Sequence, residues 1–238
     1  PILCVAAFFV LYAFVGRHMS LRMVVYNIFY TINGILGTPI SVCSTYIALF
    51  LLFGAFLEAT GVANFFIDCA NALVGWASGG PAKVAVVSSA LCGMVSGSSV
   101  GNTVTTGSVT IPMMKKTGYR PEFAGAVEAA SSTGGQIMPP IMGAGAFIMA
   151  EIIGIQYVQI AEAAIIPAIA YFGSAFMLVH LIARKKHIGK DSGVHYEGAP
   201  VVPRLYRLVP IVVLVVMIVM VYSLPRAAIY CTVLAIVV

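Results

Sequence analysis

Between Lys83 and Lys115 the chain runs for 31 residues without a charge, and its middle is polar, Ser96-Gly97-Ser98-Ser99-Val100-Gly101-Asn102-Thr103. An apolar arm of about 14 residues flanks that centre on each side. At about 1.5 Å per residue such an arm reaches roughly 21 Å, short of a hydrocarbon core of about 30 Å. Lysines at both bases place the two ends on one side of a bilayer. The stretch 84–114 therefore predicts a re-entrant helical hairpin with a polar tip inside the membrane. Backbone that is not helical at that depth survives only where it is buried in protein or lines a cavity.

Composition supports a lipid solvent. Apolar residues make up 61% of the 238 residues and charged ones 9%, with a mean hydropathy of +1.01. A soluble domain carries about 25% charged residues. The formal charge of +5 gathers at 17–22, 115–120 and 184–207, beside apolar runs. Such clusters mark the cytoplasmic side of membrane spans, and no soluble domain presents them to nucleic acid. Cys4, Cys43, Cys69, Cys92 and Cys231 lie singly in apolar stretches and read as small buried hydrophobes. The chain starts at Pro1 and stops at Val238, inside apolar runs, as expected of a piece of a longer protein.

Further runs read as membrane segments at 2–15, 21–36, 40–57, 160–182 and 208–224, with another starting at 227. If 21–36 and 40–57 both cross, the chain returns to the side of Arg17 before Lys83. Residues 62–76 place Val62, Phe65, Phe66, Cys69, Leu73 and Trp76 at helical spacing, with Asn64, Asp68 and Asn71 elsewhere. That pattern predicts an amphipathic helix lying in the interface, anchored by Trp76. The segment 121–153 is too long for one span. It is interrupted by Thr133-Gly134-Gly135-Gln136 and by Pro139-Pro140, and it reads as a discontinuous helix. The fold class expected is an all-α polytopic membrane protein.

Two polar, glycine-bearing kinks thus lie at membrane depth, 96–103 and 131–136. Freed carbonyls and hydroxyls coordinate sodium, and helix N-termini attract anionic groups. Gly93, Gly97 and Gly101 also form a repeated GxxxG pattern, whose plain reading is helix packing. It does not account for the neighbouring Ser98, Ser99, Asn102 and Thr103. Residues 97–101 match the GxSxG of serine hydrolases, but that elbow needs a preceding strand and a later Asp and His. No Walker lysine follows the glycines. Glu128, in the first half of the broken helix, reads either as a proton or cation ligand or as an interfacial acid.

The run Ser96-Gly-Ser-Ser-Val-Gly-Asn, then Gly107-Ser-Val-Thr-Ile-Pro112-Met-Met-Lys-Lys-Thr-Gly118-Tyr119, then Ala129-Ala-Ser-Ser-Thr-Gly134 with Pro139-Pro140, resembles the large membrane subunit of TRAP transporters. It is most similar to the fused TAXI type over roughly 37–183. The resemblance implies a sodium-coupled secondary transporter of the inner membrane, with no cofactor beyond the coupling ion. It further implies an organic anion, often a carboxylate, delivered by a periplasmic solute-binding protein. A small membrane subunit, fused or separate, would accompany the chain. The implied architecture is of the elevator type. Residues 1–58 and 158–238 would be membrane helices (the former on the scaffold side), with a cytoplasmic loop at 184–207. Residues 59–79 would form an arm and 80–157 part of the transport domain. Carried over by motif, Ser96, Gly97, Ser98, Ser99, Asn102 and Thr103 at the tip would form a sodium and substrate site with Ser132, Thr133, Gly134, Gln136 and Pro139 at the break. The second inverted repeat would lie outside this chain. The competing class is a channel or a structural membrane subunit whose glycines only pack helices.

Overall fold

A computed structural model describes residues 2–31, 34–186, 188, 200–220 and 223–237. The described residues are helical, joined by turns. Helix α1 (Ile2–Val15) is followed by α2 (Leu21–Phe29), capped by the Ser20 hydroxyl. Helix α3 (Thr38–Val42) passes through a π-helical turn, Cys43–Ile47, into α4 (Ala48–Ala59). Then come α5 (Val62–Val74), α6 (Gly80–Ser96), α7 (Ser99–Lys116) and α8 (Pro121–Gly134). After a 3-10 turn at Gly135–Ile137 follow α9 (Ala144–Ile153) and α10 (Tyr157–Lys185). A 3-10 segment, Val202–Leu208, leads into α11 (Val209–Val219), and α12 (Leu224–Val237) closes the described chain.

Among the described residues, three segments are long and apolar enough to cross a bilayer: Thr38–Ala59, Tyr157–Lys185 and Val202–Val219. Large apolar side chains such as Ile166, Ile169 and Leu181 stand exposed along α10, where lipid tails suit them. The protein is a polytopic helical membrane protein.

The expected crossing at 21–36 is not formed. Helix α2 has 9 residues, which at about 1.5 Å each makes roughly 14 Å, under half of the hydrocarbon thickness. The chain folds back instead, with Ile35 N–H donating to Ile28 O at 2.7 Å. Of the two segments expected to cross between Arg17 and Lys83, only 40–57 then remains long enough to do so.

Helix α5 also differs from expectation. Val62 and Phe66 lie with Cys92 and Val95 near the end of α6, while Ile67, Ala70 and Val74 pack with Val84 and Val87 near its start. Helix α5 therefore runs antiparallel along α6 and is covered by it, where an amphipathic helix lying in the interface was expected. Its buried face is Val62, Phe65, Phe66, Ile67, Asp68 and Ala70, whereas Leu73 and Trp76 are exposed. Asp68 is buried because Arg204 reaches it, Nη1 to Oδ2 at 3.2 Å. Arg207 donates to Gly61 O at 3.0 Å.

The expected loop 184–207 is thus shorter at both ends. Arg184 and Lys185 belong to α10, and Val202–Leu208 is a 3-10 segment. Residue 187 and residues 189–199 of it lie outside the described residues. Removing one partner of a buried ion pair leaves the other charge less well compensated. Arg204→Met is expected to cost about 1–3 kcal/mol, scaled down because Arg204 is partly exposed. Thermal unfolding of the solubilised permease measures this, and an unchanged midpoint would show that Arg204 contributes nothing to holding α5.

Candidate functional site

Helices α6 and α7 form an antiparallel hairpin. Its tip is two residues, Gly97 and Ser98. Gly97 has φ +58°, in the left-handed region that glycine adopts without penalty. The Ser98 hydroxyl accepts from Gly101 N–H at 3.2 Å, starting α7. At the other end the hairpin bases meet α10. Tyr119 and Ala82 pack with Ala183, and Lys186 lies over the Phe123 ring at 5.9 Å. The basic groups at Lys115–Lys116 and Arg184–Lys186 thus gather at the base of the hairpin.

Helix α8 stops at Gly134, and the chain turns through Gln136 and the cis Pro139-Pro140 bond before α9 begins. The tip of the hairpin docks on this break. Ile141 N–H donates to Met94 O at 3.4 Å, and Gly143 N–H to Gln136 O at 2.7 Å. The Gln136 side-chain amide donates to Ser99 Oγ at 3.0 Å. Two backbones touch here: a Cβ on Gly93 would stand 2.4 Å from Gly135 Cα, and one on Gly97 2.3 Å from Met142 O.

The docking brings four helix ends together. The carbonyl ends of α6 and α8 carry partial negative charge, and the amide ends of α7 and α9 partial positive charge. A cleft of about 360 Å³ lies among them, lined by Ser96, Gly97, Ser98, Gln136 and Met142–Gly145, with Phe50 and Phe147 as an apolar wall. A second cavity, of about 200 Å³, lies behind the tip between α4, α5 and α7, and includes Glu58, Asn102 and Thr105. Glu58 and Thr105 are hydrogen-bonded there.

The residues expected to act together do not all reach the cleft. Ser96, Gly97, Ser98 and Gln136 line the cleft, and Ser99 is tied to Gln136. Asn102 points beneath the tip: its amide donates to Ser89 O at 2.8 Å, while its buried Oδ1 accepts from no described residue. Ser132 turns away to Glu128. The hydroxyls of Thr103 and Thr133 bond within their own helices, to Ser99 O and Ala129 O, both at 2.8 Å. A Cβ on Gly134 would meet the Tyr171 ring at 2.5 Å, so that glycine serves packing against α10. Pro139 sits in the turn of the break. The element before Ser99 is a helix where a hydrolase elbow needs a strand.

Sequence reasoning left the place of Glu128 open. It is fully buried between helices, so its carboxyl faces neither water nor lipid headgroups directly. Hydroxyls from three helices surround it: Ser89 on α6, Thr106 and Thr110 on α7, and Ser132 on α8. Gly107 makes room, since a Cβ there would stand 3.0 Å from Glu128 Cγ. The missed signal was the four-residue spacing of Asn102, Thr106 and Thr110, a polar stripe on an intramembrane helix.

The whole chain, residues 1–238, matches the family model described as the tripartite ATP-independent periplasmic transporter, DctM component. Over 94 residues it is 40% identical to a C4-dicarboxylate TRAP transporter large permease protein of Vibrio cholerae, covering 40% of this chain and 21% of that protein. A Rhodobacter capsulatus protein of the same name is 39% identical over 94 residues, again 40% of this chain and 21% of the relative. The isethionate TRAP transporter permease protein DctMQ of Oleidesulfovibrio alaskensis is 31% identical over 94 residues, 40% of this chain and 15% of the relative. The matched stretch is thus about a fifth of the length of the first two relatives. These names do not carry the TAXI designation.

Proposed function

Because the chain belongs to the DctM component family of the tripartite ATP-independent periplasmic transporters, we propose that it forms the cleft half of a sodium-coupled importer of organic anions in the inner membrane. The observation that carries this reading is the docking of the hairpin tip on the helix break, with Gln136 bonded to Ser99 and the backbones of Gly93 and Gly135 in contact. Oxygen ligands, from freed carbonyls and from the Ser96 and Ser98 hydroxyls, suit a hard cation. The amide ends of α7 and α9 suit an anionic group. Apolar Phe50 and Phe147 on the far wall suit the carbon part of such a solute.

The relatives' names support a carboxylate or sulfonate as the anion: one names a C4-dicarboxylate and another isethionate. A periplasmic solute-binding protein would deliver it, and a small membrane subunit would complete the assembly, fused or separate. An elevator movement of the hairpin and broken helix, in a fused permease of the TAXI type, is the mechanism and subtype this reading favours. A purely structural subunit would not need polar groups at the docked tip.

The test is uptake of labelled succinate and isethionate by cells expressing the full-length permease with its binding protein. Replacing external sodium by choline is expected to abolish accumulation. Accumulation that persists unchanged in choline would sink the sodium reading.

A further inference from the structure

Glu128 is placed for a task that the cleft does not use. Its side chain is fully buried between α6, α7 and α8, and among the described residues no Lys, Arg or His forms an ion pair with it. Ser89 Oγ lies 3.0 Å and Ser132 Oγ 3.2 Å from Oε1. Thr106 is also hydrogen-bonded to Oε1, and Thr110 to Oε2.

The two threonines have a second acceptor each. Thr106 Oγ1 lies 2.7 Å from Asn102 O, and Thr110 Oγ1 lies 3.0 Å from Thr106 O. Each hydroxyl has a single proton to give. The cage is therefore complete in two forms. With Glu128 ionised, all four hydroxyls donate to the carboxylate. With Glu128 protonated, its own O–H donates to Thr110 Oγ1, Thr110 turns its proton to Thr106 O, and Thr106 keeps donating to Oε1. Ser89 and Ser132 go on donating to Oε1. Only hydroxyl rotations separate the two forms, and neither leaves a buried polar group of the cage unpaired.

We propose that Glu128, with Ser89, Thr106, Thr110 and Ser132, is a proton-binding site of the permease. Binding adds one proton to Glu128 Oε2 and removes one negative charge from the junction of hairpin and broken helix. Release returns the proton to water. The site is separate from the cleft, so it adds a second ion to which movement of the hairpin can respond.

The surrounding ionisable groups leave Glu128 as the proton carrier of this junction. From α6, Cys92 is within its electrostatic reach, and Lys83 is turned to the Phe176 ring at 5.4 Å. From α7, Lys115 and Lys116 lie at the hairpin base. From α10, Tyr171 donates to Ala130 O at 2.7 Å, and His180 makes no ion pair with Glu128. Glu58 of α4 is held by Thr105. On α8 itself, Glu122 is exposed and lies next to Arg120.

The experiment is infrared difference spectroscopy of the purified full-length permease through an acid-to-alkaline titration. The expected result is a protonated carboxylic acid C=O band that disappears as pH rises and is missing in Glu128→Gln. Thr110→Val, which removes one partner but keeps the shape, is expected to move the band and its midpoint. It serves as the assignment if Glu128→Gln does not fold. No titrating acid band in the wild-type protein, or a band unchanged in both variants, overturns the proposal.

Discussion

A single methyl group at Gly93 is expected to stop uptake. A Cβ there would stand 2.4 Å from Gly135 Cα and 3.3 Å from Gly135 C. Both neighbours are backbone, so neither can rotate aside. Relief requires α6 to move off the break, which undoes the docking of the tip. Overpacking of this kind costs about 1–3 kcal/mol, occasionally more. The loss of transport is expected to exceed what that destabilisation alone would give. Gly101→Ala is the internal control, since its nearest neighbour would be Ser98 Oγ at 3.5 Å, an ordinary contact. Initial uptake rates and thermal midpoints of the two variants decide the matter. Wild-type uptake by Gly93→Ala would mean that the close approach is not needed for transport.

Tyr157→Ala is expected to be the most destabilising single change outside the hairpin. Tyr157 is buried and stacks on Phe147, with ring centroids 4.7 Å apart. Phe147 in turn packs on Phe50 at 5.1 Å, so the ring ties α4, α9 and α10 together. The Tyr157 hydroxyl donates between Pro140 O at 2.7 Å and Ile141 O at 2.8 Å, which fixes the loop that receives the tip. Truncating a buried aromatic ring costs about 3–5 kcal/mol. Tyr157→Phe separates the two roles: it keeps the stack and strands two carbonyls, for about 1–3 kcal/mol. The thermal midpoint of the solubilised protein is the readout. If Tyr157→Phe matched the wild type, the hydroxyl would have no structural role.

The hairpin and the break were legible because glycine, serine and proline change local backbone physics wherever they occur. Gly97 with Ser98, and Pro139 with Pro140, announce chain reversals without help from distant residues. The covering of α5 was not legible. Periodicity showed an apolar face, but nothing local says whether lipid headgroups or another helix meets it. Asp68 read as a polar outlier because Arg204, 136 residues away, was invisible to a local pattern. The failure at 21–36 has a local cause that apolarity hides. Asn27 and Thr31 turn their side chains back to Met23 O and Asn27 O, and Gly34 lets the chain fold onto Ile28. In the candidate site, residue types pointed to oxygen chemistry but said nothing of the direction each side chain takes. Ser132 and Asn102 share the kinks with Ser98 and Gln136, yet their side chains face other partners. The carboxylate cage required three helices to be placed before its members could be seen as one group.

The meeting of two carbonyl termini with two amide termini has a thermodynamic consequence. On the proposed reading, a positive guest held by the former and a negative guest held by the latter attract each other at short range. Whatever factor one contributes to the other's affinity must be returned in equal measure, because a binding cycle closes. If the cleft takes both guests as proposed, each raises the other's occupancy by the same factor.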